Sequence, residues 1–171
     1  MSMTLTPLDP SLVPAFKRYA KEAFQLGYED YFGKNDSVIL PEKDIDQSLR
    51  AEGAEAYAAM LDGELAGGAI VVIDPTKATG DLHFLFVKRG VQNKGIGQAI
   101  WAEIERRHPE VRVWETCTPY FDKRNVHFYV NVCHFAIVEY FNAKHPMEGL
   151  PDDFVGDADE GMFGFRKEIK R

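Results

Sequence analysis

One short segment restricts this chain more than any other: Val87-Lys88-Arg89-Gly90-Val91-Gln92-Asn93-Lys94-Gly95-Ile96-Gly97-Gln98. It comes after Leu82 to Val87, which reads as a strand, and it opens a helical pattern running toward His108. The rest of the chain must be arranged around that strand-to-helix passage. Glycines let the backbone turn tightly and keep side chains out of the way. The first N–H groups of the helix have no partners within it, and a helix start carries partial positive charge. Such an element suits a phosphate group.

Two common phosphate loops fail against this segment. A nucleoside-triphosphate loop needs G-x-x-x-x-G-K-S/T. Gly90 and Gly95 have that spacing, but Ile96 and Gly97 stand where the lysine and the hydroxyl should be. A dinucleotide loop needs G-x-G-x-x-G. Gly95 and Gly97 begin it, but Ile100 replaces the third glycine.

The other elements can be read from periodicity and turn signals. Met3 to Leu8 reads as a first strand. Asp9-Pro10 starts a helix that carries Leu12, Phe16, Ala20 and Ala23 on one face, and Gly27 is expected to end it. Tyr28 to Leu40 then reads as a loop, and Pro41 to Glu52 as a short helix closed by Gly53. Ala54 to Leu61 and Leu65 to Ile73 form a hairpin around Asp62-Gly63. A third strand is expected at Asp81 to Val87, then the helix after Gly95, a strand at Val111 to Thr116 and a helix at Asp122 to Val132. Strands at His134 to Phe141 and Met162 to Ile169 complete the series. This order predicts one α/β domain over residues 1–171 with a mixed central sheet of about seven strands and about four helices.

Composition narrows the partners. A length of 171 residues is enough for one domain with a sizeable core. A net charge of -7 argues against nucleic acid and is compatible with a cationic substrate. Cys117 and Cys133 form no C-x-x-C pair, so neither a disulfide framework nor a zinc site is expected. The longest apolar run, Leu65 to Ile73, is too short for a bilayer, and the start of the chain lacks a leader pattern. A cytoplasmic location without membrane contact is the expectation. The acidic run 151–160 reads as a solvated loop, since its spacing does not match a calcium loop. No metal is expected.

A third pattern fits the glycine segment. Gln92-Asn93-Lys94-Gly95-Ile96-Gly97 resembles Q/R-x-x-G-x-G/A, the pyrophosphate loop of the GNAT superfamily of N-acetyltransferases, and Val87 stands five residues before the glutamine. Asn125-Val126-His127-Phe128-Tyr129-Val130-Asn131-Val132-Cys133-His134-Phe135 resembles the second signature of the same superfamily, its helix-to-strand segment. The order of elements agrees as well. Two positions depart from the pattern. His134 stands where relatives have glycine, and Asn125 lies one turn before Tyr129, while Asp122 occupies the more usual asparagine position.

The resemblance implies a GNAT-like fold in which acetyl-CoA lies in a splay between two parallel strands, here Asp81–Val87 and Val111–Thr116. It implies pantetheine contacts from the backbone of Phe86 and Val87, with a further contact from Asn125. It also implies pyrophosphate contacts from Gln92, Asn93, Lys94, Gly95, Ile96, Gly97 and Gln98. Tyr129 then corresponds to the acid that protonates the leaving thiolate, with Phe128 in the core. Glu115 is the first candidate for taking the amine proton, with His83, Asp81 and water as rivals. Tyr28, Glu29 and Tyr31, together with His83, are candidates for the acceptor side, where acidic and aromatic groups suit a cationic amine. The implied activity is acetyl transfer to a primary amine of a small molecule or protein. The alternative is a catalytically inactive acyl-CoA-binding sensor or scaffold. Relatives commonly form homodimers.

Overall fold

The computed structural model describes residues 2–34, 36–148 and 161–170. Its strands are β1 (Met3–Pro7), β2 (Ala54–Leu61), β3 (Glu64–Asp74), β4 (Thr79–Val87), β5 (Val113–Pro119), β6 (Ala136–Phe141) and β7 (Met162–Glu168). Its helices are α1 (Val13–Phe32), α2 (Glu42–Arg50), α3 (Ile96–Arg107) and α4 (Lys123–His127). A 3-10 turn, Pro10–Leu12, precedes α1, and a π-helical turn, Phe128–Val132, continues α4. The strands form one seven-stranded sheet in the order β1-β2-β3-β4-β5-β7-β6. This is the mixed α/β domain that the element order predicted.

Short turns fold the first strands back on one another. Asp62 and Gly63 have φ of 51° and 83°, the left-handed pair that a two-residue hairpin requires. β2, β3 and β4 are therefore antiparallel neighbours. The crossover through α3 makes β5 parallel to β4, the one parallel pairing among the described residues. That ladder is short. It joins Thr79 to Val113 and ends with Leu82 opposite Thr116, while β4 continues to Val87 and β5 to Pro119. The two strands part beyond this last rung, and the Thr116 hydroxyl donates to the Leu82 carbonyl there at 2.8 Å.

Each face of the sheet carries its own apolar layer. On one face Ile96, Ile100, Trp101 and Ile104 of α3 pack against Leu82, Leu85 and Trp114. On the other, Phe16 and Ala20 of α1 and Ile45 of α2 pack on Ala58, Ile70 and Phe86. Each fully buried isoleucine or phenylalanine contributes about 1.5–3 kcal/mol, so the two layers fix the helices on their faces.

Most element ends shift by a residue or more from the sequence reading, and four of the shifts have a clear physical cause. First, α1 does not stop at Gly27. It runs to Phe32 and ends at Gly33, whose φ is +84°. Gly27 is needed for close approach: a Cβ there would stand 2.9 Å from Asp122 Oδ2. Tyr28, Glu29 and Tyr31 are thus helical, not part of a loop. Second, β5 begins at Val113. Val111 is buried before it and donates its N–H to the His108 carbonyl. Third, the helix expected at Asp122 to Val132 is α-helical only to His127. From Phe128 it widens, and the Cys133 N–H donates to the Phe128 carbonyl at 2.9 Å, five residues back. Fourth, β6 starts at Ala136 because His134 turns the chain with φ of +66°, a conformation glycine adopts without strain. The acidic run 151–160 lies outside the described residues.

Candidate active site

The glycine segment folds into a tight turn. Gly90, Asn93 and Gly95 have φ of +97°, +64° and +76°. Alternation with left-handed residues turns successive N–H groups toward one side, which makes an anion-binding concavity. α3 then starts at Ile96 with no side-chain cap and no acidic residue in its first turn. Its opening N–H groups and its dipole are therefore left for a ligand. At Gly97 a Cβ would meet the Phe128 ring at 3.1 Å, so a larger side chain there pushes this turn and the π-helical turn apart.

These parts line one cleft of about 410 Å³. Phe86 and Val87 of β4 form its floor beyond the last rung. Gln92, Asn93, Gly95, Ile96, Gly97 and Gln98 form one wall, and Asn125 and Phe128 form another. Lys94 is exposed and stands outside the wall. Residues not anticipated complete the cleft: Ala23, Phe24 and Gly27 on α1, and Asp122, Arg124 and His127 near α4. A glycine at the expected end of a helix hid the first group, since its role as a spacer has the same one-letter signature as a stop. Arg124 spans the mouth. Its guanidinium donates to Gln92 Oε1 at 3.1 Å and to Asp30 Oδ2 at 2.8 Å.

Asp122 is buried and caps α4, accepting the Asn125 N–H at 3.1 Å. Burial raises its pKa above the ordinary carboxylate value, although that bond and Arg124 pull the other way. The Asn125 amide donates to the Thr118 hydroxyl at 3.4 Å.

Phe128 lies at the cleft rather than in the core, and Tyr129 is more deeply buried than its neighbour. The Phe128 ring is in the cleft wall. The Tyr129 ring is buried in the core against Phe135 and Phe165, and it is not part of that wall. Its phenol lies beside Thr116, the residue of the last rung, and burial pushes its pKa well up.

A second group of polar side chains stands on the α1 and α2 side of the sheet, on either side of the point where the strands part. Asp81 and Glu115 face each other across one rung. Desolvation first, then Glu115, raises the Asp81 pKa. The Cys117 thiol is pushed up to about 11, by desolvation and then by Asp81, Glu115 and Glu139. His83 is on this side too, with Ser48 Oγ of α2 2.8 Å from its Nδ1. Tyr28 and Tyr31 join neither this group nor the cleft. They pack with Phe32 around Phe121, just beyond β5, with Tyr28 and Phe121 ring centres 5.2 Å apart. Glu29 lies on the same turn of α1 and accepts from Gln25 at 3.5 Å.

Among the described residues no helix is long and apolar enough to cross a membrane. None of their His, Cys, Asp and Glu side chains cluster in a group fit to hold a metal ion.

Residues 15–135 match the family model of the acetyltransferase (GNAT) family. The chain is 36% identical to the uncharacterised protein YrkN of Bacillus subtilis strain 168 over 165 residues, 93% of this chain and 89% of that protein. Its fold is similar to the crystal structure of the ribosomal-protein-S18-alanine N-acetyltransferase of Escherichia coli, with a TM-score of 0.69 and 14% identity over 99% of this chain and 96% of that one. It is also similar to the PaiA N-acetyltransferase of Thermoplasma acidophilum in complex with coenzyme A, with a TM-score of 0.67 and 16% identity over 99% of this chain and 100% of that one.

Proposed function

The chain belongs to the GNAT acetyltransferase family, and from that premise we propose that it transfers the acetyl group of acetyl-CoA directly to a primary amine. One observation carries this reading. The uncapped start of α3 and the end of β4, beyond its last rung with β5, line the same cleft. The donor's pyrophosphate fits the turn from Gln92 through Gln98. Its pantetheine arm extends the sheet along the unpaired edge of β4 at Phe86 and Val87, beside Asn125. The thioester then lies near the last rung, Leu82 with Thr116. The coenzyme A in the Thermoplasma acidophilum structure supports the same ligand class here.

The acceptor approaches from the side of α2, where Asp81 and Glu115 offer negative charge to an ammonium. Tyr28, Glu29 and Tyr31 border that approach from the end of α1. Transfer requires a deprotonated amine, an N–C bond formed as the C–S bond breaks, and a proton for the departing thiolate. Glu115, Asp81 and His83 are the bases at hand. Tyr129 is the acid, reaching the rung from the α3 side through its phenol beside Thr116.

The burial of Tyr129 outside the cleft wall favours the second reading, an acyl-CoA-binding module without catalysis. Thermal melts with CoA, acetyl-CoA and ATP test the ligand class. A ligand at a hundred times its Kd should stabilise the fold by about 2.7 kcal/mol, a shift of several degrees. A shift with ATP but not with CoA would overturn the donor assignment. Thiol release from acetyl-CoA across polyamines, amino acids, aminoglycosides and peptides then separates enzyme from sensor. A shift with CoA and no thiol release with any of them favours the sensor.

A further inference from the structure

Three independent features converge on His83. The pairing of β3 with β4 slips here: Ile70 stands opposite Phe84, while the next residue, Val71, stands opposite Leu82. His83 is the extra residue of that bulge, and bulges re-aim a side chain where a ladder is interrupted. His83 is also the first residue of β4 beyond the last rung shared with β5. Finally, its ring is held. Ser48 is buried on α2, and its Oγ lies 2.8 Å from Nδ1. Nε2 has no hydrogen-bond partner among the described residues.

We infer that His83 takes the proton of the acceptor ammonium at Nε2, and that Ser48 is the positioning residue that holds the imidazole by Nδ1 in the tautomer that leaves Nε2 bare. The inference rests on the acetyl-transfer reading and selects one base from the three on that face. As the ammonium N–H bond breaks, its proton goes to Nε2. The freed electron pair forms the N–C bond, the C–S pair returns to sulfur, and the thiolate receives a proton from Tyr129. The second proton of the acylated nitrogen then returns to the Tyr129 phenolate, which leaves the neutral amide. Proton loss from His83 to water resets the site, since part of its ring surface is exposed.

Glu115 is placed for another task. It shares a closed rung with Asp81, one rung before the strands part, where two carboxylates attract a cation more readily than either reaches past the end of the ladder. The titratable groups around His83 are Asp81 on its own strand, Glu115 and Cys117 on β5, and Asp44 one turn before Ser48 on α2. Burial lowers the His83 pKa from its ordinary value. A lowered pKa keeps the ring neutral near pH 7, and a base of this kind loses activity as pH falls through it.

The test uses the whole chain with acetyl-CoA and 1,4-diaminobutane as the probe amine, and a nitrogen-15 spectrum of the imidazoles in the CoA-bound protein. His83→Gln should lower kcat about a hundredfold or more and remove the acid-side inflection from the kcat/KM profile, with the KM for acetyl-CoA unchanged. Ser48→Ala should lower kcat about tenfold and move that inflection to lower pH, because the lost acceptor also favoured the charged ring, and Ser48→Thr, which keeps the hydroxyl, should restore both. The spectrum should show Nδ1 of His83 protonated and Nε2 bare. A His83→Gln protein with the wild-type profile would overturn the inference. So would protonated Nε2, and that outcome decides the matter even where the diamine is not turned over. Loss of CoA binding in the wild-type protein, by contrast, would overturn the acetyl-transfer reading itself.

Discussion

The cradle at the start of α3 and the polar face around Glu115 lie along the same strand, β4, and they are built from different material. Backbone makes the cradle. Its parts are N–H groups, left-handed φ at Gly90, Asn93 and Gly95, and the space that Gly97 leaves beside Phe128. Side chains make the other face. Asp81, His83, Glu115 and Ser48 come from three elements and meet through strand register. A backbone site tolerates most side-chain changes but few changes of conformation or bulk. A side-chain site tolerates neither a lost functional group nor a shifted register.

The largest effect should come from bulk and charge in the cradle. Gly97→Glu forces a side chain against the Phe128 ring and sets a carboxylate where an anion binds. Calorimetric titration should show CoA affinity down by at least about a hundredfold, on the order of 3 kcal/mol. Unchanged affinity would break the comparison, because the donor would then not use this turn. Next, Tyr129→Phe should cut kcat about a hundredfold while the Kd of CoA hardly moves. Full turnover would place the acid elsewhere and leave Tyr129 a core residue.

Two smaller effects sharpen the contrast. Asp122→Asn keeps an α4 cap and removes a buried charge. The Asp122 pKa is raised by burial, so ionisation disfavours the folded state, and that cost appears as pH rises through the raised value. Melts should show the variant gaining stability at pH 7, by less than about 1 kcal/mol, and no gain at pH 3 where both states are protonated. A change of similar size should follow His134→Gly. Relief of the +66° φ should add roughly 0.5–1 kcal/mol to stability without altering CoA affinity.

The same division separates the features that were legible in the sequence from those that were not. The strand-to-helix turn could be read because glycine spacing between a strand and a helix is a local signal; Gln92, Asn93 and Gly95 through Gln98 line one cleft, with Lys94 outside the wall. The seven strands could be read because alternation and turn residues are local too. The Asp122–Gly27 contact could not, since it joins residues far apart in the chain and uses a glycine inside a helix. Nor could the Ser48–His83 pair, which depends on how α2 seats on β4. The end of α1 was missed because Gly27 carries the same letter whether it stops a helix or lets a neighbour in.

The π-helical turn at Phe128–Val132 gives one last consequence. It inserts a single extra residue into a helix that would otherwise be continuously α-helical, and each residue advances a helix by about 100° around its axis. The segment therefore acts as a phase shifter between the cleft and β6. Deletion of one residue after Tyr129, for example Val130, would let the helix close regularly and rotate α4 against Cys133 and Phe135. Either the cleft would keep Phe128 and lose the seating of Cys133 and Phe135, or the core would keep those two and a different ring would face the donor.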